Sequence, residues 1–108
     1  MSRKVYTRLR LPTEADFRRT IIDYARLRGW RYYCTWLSLH SPKGFPDFVL
    51  LRARTGAPPR LIFAEIKSER GRVRPEQADW LADLREVPSV EAYLWRPSDF
   101  DEIVAVLT

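Results

Sequence analysis

The sequence predicts an α/β domain with a mixed central sheet flanked by helices, in the order helix, three strands, helix, strand, helix. Three observations carry that expectation. Apolar residues recur at helical spacing in 14–28 and 75–86, strand-length apolar and aromatic runs occupy 30–36, 48–51, 61–67 and 90–95, and Gly or Pro punctuates the junctions. A length of 108 residues suits one domain, 1–108, with a single modest core. A hydrophobic fraction of 45% beside 31% charged residues is that of a globular chain and not a disordered one.

Taken in order, residues 1–11 carry Arg3, Lys4, Arg8 and Arg10 and read as a basic arm or edge segment, either a solvated tail or a DNA-tracking arm. Thr13 with Asp16 resembles a capping box and starts a helix to about Arg28, stopped by Gly29. Phe17, Ile21 and Ala25 share a stripe of that helix, and Glu14 heads it. An acidic residue in the first turn complements the helix dipole, which would account for Glu14 without any ligand. Trp30 to Trp36, rich in aromatics, is the first strand, with Cys34 a small core residue. The loop 37–46 holds His40, by default a solvated polar residue and otherwise a phosphate contact or proton shuttle. Lys43, suited to phosphate, and Gly44, which permits a turn, lie in the same loop. Pro75 fits the first turn of a second helix that ends before Pro88, with Gln77, Leu81 and Leu84 on one stripe and Trp80 beside it. Val90 to Trp95 is the last strand, and Ser98 with Asp101 predicts the cap of a helix reaching Leu107.

The two central runs are the anomaly. Gly44-Phe45-Pro46-Asp47 opens one, Leu61-Ile62-Phe63-Ala64-Glu65-Ile66-Lys67 forms the other, and each carries charge where a strand should be oily. Strand alternation sends Glu65 and Lys67 to the same face, and a hairpin through 54–59 brings Asp47 beside them. Buried carboxylates are costly unless they neutralise a partner or hold something. Hard divalent ions take carboxylate, carbonyl and water oxygens, which suits phosphodiester chemistry. Downstream of Lys67, Arg70, Arg72 and Arg74 alternate along a glycine-containing loop and can follow a phosphate backbone, unless they are only solvated surface charge.

Composition narrows the classes. The net charge of +5 favours a polyanionic partner. One cysteine excludes an intramolecular disulfide and, with one histidine, a Cys/His zinc cluster; no disulfide-linked partner is expected. No apolar run approaches the roughly 20 residues of a membrane span, and no signal-peptide core is seen, so a cytoplasmic setting is expected.

Gly44-Phe45-Pro46-Asp47, Glu65-Ile66-Lys67 and Pro75-Glu76-Gln77, in that order and spacing, resemble the VRR-NUC (virus-type replication-repair nuclease) branch of the PD-(D/E)xK nuclease superfamily. The resemblance implies the αβββαβ core of the restriction-endonuclease-like fold and a metal-dependent DNA endonuclease. Its implied site has Mg2+ or Mn2+ on Asp47, Glu65 and the Ile66 carbonyl, with Glu14 reaching the ion directly or through water. Lys67 would position the attacking water, Gln77 would lie in the active site, and Lys43, Arg70, Arg72 and Arg74 would grip DNA. The resemblance also implies branched DNA such as four-way junctions, a homodimer, and a bacterial or phage-infected cell; larger relatives embed the domain in DNA-repair proteins. Trp36, Trp80 and Trp95 are candidates either for that dimer interface or for the core. Two rivals stand beside this reading: a non-catalytic nucleic-acid-binding module on the same fold, in which Asp47, Glu65 and Lys67 are a structural ion cluster, and an RNA endonuclease.

Overall fold

The computed structural model describes residues 12–35 and 42–108, so the basic residues of 1–11, Trp36 and His40 lie outside the described residues. Helix α1 spans Glu14–Leu27, and Thr13 Oγ1 accepts the Asp16 N–H at 3.0 Å as its cap. Past its end Gly29 adopts φ +85°, a left-handed conformation that glycine takes without strain, and the chain turns into the sheet. Strands β1 (Arg31–Cys34), β2 (Phe48–Arg52) and β3 (Arg60–Ile66) follow, then helix α2 (Pro75–Arg85), strand β4 (Val90–Trp95) and helix α3 (Phe100–Leu107).

The four strands lie in the order β1-β2-β3-β4, antiparallel between the first three and parallel between β3 and β4. A parallel neighbour requires a crossover, and α2 supplies it. One sheet face carries the core: Phe48, Leu50, Ile62, Ala64 and Ile66 meet Phe17, Ile21 and Ala25 of α1 and Ile103 and Leu107 of α3. On the other face α2 is pinned by Phe45, whose ring meets Phe63 and Trp80 edge-on at 5.9 and 5.0 Å. The mixed sheet between helices agrees with the restriction-endonuclease-like class.

Of the two readings of Trp95 the core one holds, since it is 1% exposed and stacked on Tyr93 and offers nothing to a dimer interface. Two expectations change. Ser98 does not cap the last helix. A short 3₁₀ turn at Pro97–Asp99 intervenes, Asp99 accepts the Arg96 N–H at 2.9 Å, and α3 starts only at Phe100, because Pro97 and Asp99 together satisfy the turn before Ser98 can act. The first strand also starts later than expected: Trp30 precedes β1, buried, with its indole N–H on the Leu107 carbonyl at 3.0 Å.

No helix among the described residues is long and apolar enough to cross a membrane.

Candidate active site

The β2–β3 register pairs Phe48 with Ala64, which makes Asp47 and Glu65 the next pair out. Asp47 is held from two sides. Its backbone carbonyl accepts the Thr35 N–H at 2.9 Å, and its Oδ2 accepts the Ile66 N–H at 2.8 Å. Glu65 is 2% exposed, and its Oε2 accepts the Gln77 side-chain amide at 3.0 Å. Gln77 in turn accepts the Arg74 N–H at 2.9 Å, so one amide closes the first turn of α2 and ties it to Glu65.

The second oxygen of Glu65 differs. Oε1 is buried and, among the described residues, meets no N–H or hydroxyl donor, which leaves the Asp47 carboxylate as its polar neighbour. The Glu65 pKa is pushed up to about 8, first by burial, then by the neighbouring Asp47 carboxylate through charge and a shared hydrogen bond, with Lys67 opposing the rise and Glu14 adding to it. Two carboxylates facing one another off the sheet must share a proton or a cation. Lys67 makes no ion pair among the described residues, although its charge is felt at Glu65.

Gly44 explains how the two halves of the site meet. At φ +95° it lies so close to α2 that a Cβ would stand 2.6 Å from the Glu76 backbone. The chain leading into Asp47 therefore rests directly on the first turn of α2, beside Gln77. From α1, the Arg18 guanidinium stands 3.7 Å from Asp47 Oδ1, the oxygen that the Ile66 N–H leaves open.

Arg70, Arg72 and Arg74 are exposed along the loop that leaves Lys67. Lys43 lines an open groove along α2 with Glu76, Asp79 and Asp83, carboxylates that compete with phosphate for its ammonium.

Comparison with known families decides the relationship. The model of the VRR-NUC domain family matches residues 15–95. The chain belongs to the VRR-NUC domain family. No curated protein and no solved structure matches it. The match spans Asp47, Glu65, Ile66, Lys67 and Gln77, while Glu14 falls one residue outside it. Membership makes this a nuclease-family domain with nucleic acid as its substrate.

The Asp47–Glu65 pair offers oxygens of the kind a hard cation takes, one of them a buried carboxylate oxygen without a donor among the described residues. Among the described residues no three His, Cys, Asp or Glu side chains are grouped closely enough to hold a metal ion, so the carboxylate set is the pair alone, and Glu14 reaches it only as a charge felt at Glu65. Sequence reasoning missed Arg18 and Thr35. Arg18 was open to discovery, since it follows Glu14 by four residues on one helix face. Thr35 carried no signal, because its partner carbonyls at Pro46 and Asp47 come from the segment just before β2, eleven and twelve residues on.

Proposed function

We propose that this VRR-NUC domain is a metal-dependent DNA endonuclease that hydrolyses phosphodiester bonds with Mg2+ or Mn2+. The observation that supports it is the Asp47–Glu65 pair, in which a buried carboxylate oxygen has no donor among the described residues and burial disfavours its charge. Asp47, Glu65 and the Ile66 carbonyl would hold the ion, with Glu14, felt at Glu65 only as a charge, acting through water. Such an ion supplies a Lewis acid that makes water a better nucleophile and stabilises charge on the phosphate. Lys67, on the same sheet face as Glu65, would orient the attacking water and offset phosphate charge. Gln77 fixes Glu65 by its amide hydrogen bond and so keeps one carboxylate oxygen directed. Arg70, Arg72, Arg74 and Lys43 would grip the backbone without reading bases. Branched DNA such as a four-way junction is the proposed substrate and a homodimer the proposed form, since 108 residues offer little surface for gripping a branched duplex.

The test sets the wild type against Glu65→Ala on labelled linear duplex, single-stranded, flap and four-way-junction DNA and on RNA, with Mg2+, Mn2+ or EDTA. Expected are cutting by the wild type alone, only with metal and fastest on the junction, and a Mn2+-induced rise in melting temperature absent from the variant. Binding that persists in EDTA with no cutting under any condition overturns the reading in favour of a binding module whose acidic pair is architecture. Preferential cutting of RNA moves the substrate to RNA.

A further inference from the structure

The loop between β3 and α2 is fastened from behind by a residue that lies beyond the family match. Arg96 follows β4, and its Nη1 donates to the carbonyls of Ser68 at 2.8 Å, Gly71 at 2.8 Å and Glu69 at 3.2 Å. The Ser98 N–H adds a contact to the Glu69 carboxylate at 2.9 Å, and the Lys67 N–H is held by the Trp95 carbonyl at 3.0 Å. Gly71 leaves no room for slack, since a Cβ there would stand 3.0 Å from Ser68 Oγ and 3.4 Å from the Lys67 side chain.

Three carbonyl oxygens drawn inward onto one guanidinium have two consequences. Their negative ends are neutralised by a charge behind the loop and not by solvent in front of it. The side chains of Arg70, Arg72 and Arg74, all exposed, are left on the outward side. A surface of cations with its carbonyls turned away is one that a phosphate backbone can approach without repulsion.

We propose that Arg96 is a positioning residue for nucleic-acid binding: its clasp on the Ser68, Glu69 and Gly71 carbonyls holds the 68–74 loop so that Arg70, Arg72 and Arg74 meet the phosphate backbone together, with Lys67 kept beside Glu65. This rests on the nuclease reading above and assigns its phosphate grip to a residue that touches no phosphate.

The experiment compares wild type, Arg96→Ala and Arg96→Lys by fluorescence anisotropy on a labelled DNA duplex in EDTA across a salt series, alongside tryptic digestion at Arg70 and Arg72 and cleavage kinetics with Mn2+. Expected for Arg96→Ala is about tenfold weaker binding with a salt slope lower by about one to two, because the loop arginines no longer engage together. Trypsin should cut after Arg70 and Arg72 faster than in the wild type, KM should rise more than kcat falls, and Lys, which can reach several carbonyls with one ammonium, should restore most of both effects. Wild-type affinity and salt slope in Arg96→Ala overturn the proposal, whether or not the loop has opened to trypsin. A wild type that cuts normally while Arg96→Ala is unaltered sinks this inference alone. A wild type that neither binds nor cuts any nucleic acid sinks the functional reading and this role with it.

Discussion

The β2–β3 hairpin carries a like-charge pair at each end. At one end Arg52 faces Arg60; at the other Asp47 precedes the Phe48–Ala64 pair and meets Glu65. At the arginine end both guanidinium groups find acceptors, although burial and the neighbouring Arg54, Arg60 and Arg28 charges hold the Arg52 pKa below its ordinary value. Arg60 makes a two-pronged contact with Glu91, at 2.8 and 2.7 Å, and Arg52 donates to the carbonyls of Leu107 at 3.0 Å and Arg28 at 3.2 Å. Both guanidinium groups lie over the Trp30 ring, at 4.4 and 5.1 Å. The Arg60 contact holds Glu91 below the usual carboxylate range and Arg60 above its own. No buried polar atom of Arg52 or Arg60 lacks a partner, although Arg28 Nε nearby does. At the acidic end the Glu65 Oε1 is left without one. The paired arginines come with acceptors for their donors, whereas the carboxylate pair keeps one buried oxygen without a donor among the described residues.

That contrast can be broken at the arginine end. Arg52→Ala strips the donor from the ends of α1 and α3 at once and exposes Trp30, and should cost about 3 kcal/mol, read by urea denaturation. Mn2+ should still stabilise the variant at temperatures where it is folded. A variant as stable as the wild type would mean that the arginine end is surplus charge after all.

Gly44→Ala tests the join between the site's halves. Its Cβ would meet the Glu76 backbone at 2.6 Å in a left-handed conformation, so the loop and α2 must separate. The expected loss is about 2 kcal/mol, together with reduced cleavage, since Gln77 moves away from Glu65. Normal cleavage in this variant would show that the site tolerates that separation.

The smallest effect sharpens the acidic end. Glu65 ionises at about 8 when folded against an ordinary 4.5, so the folded chain keeps a proton that the unfolded chain has lost. The stability that proton confers is complete below about 4.5 and drains away as pH rises through about 8. In EDTA, stability should therefore fall by about 1 kcal/mol per pH unit just above neutrality. Glu65→Gln should flatten this slope in thermal melts, and a slope unchanged in that variant would assign it to another group.

Much of this was legible in the sequence because charge in an oily strand is conspicuous. Asp47 and Glu65 announced themselves, and Pro75 and Gly29 marked helix boundaries that the structure repeats within a residue or so. The arginines were not legible in the same way. Arg52, Arg54, Arg60 and Arg96 read as part of a net positive charge, yet each spends its guanidinium on carbonyls or carboxylates far along the chain. Sequence shows that a cation is present and not which oxygen it will meet. Trp95 was ambiguous for a similar reason, since an aromatic at the end of a strand packs inward or outward according to the helix that follows.

The far turn of the hairpin has a practical consequence. Around Gly56 the residues are exposed, and no atom of the described residues lies within 4 Å of where a Cβ would stand. Five strand steps at about 3.3 Å each put the end of β2 at Arg52 roughly 17 Å from Asp47, and the turn lies beyond it. A fluorophore, affinity tag or tether inserted there would ride on the β2–β3 hairpin at the end away from the carboxylates. The molecule thus carries its own attachment point for single-molecule work on nucleic acid.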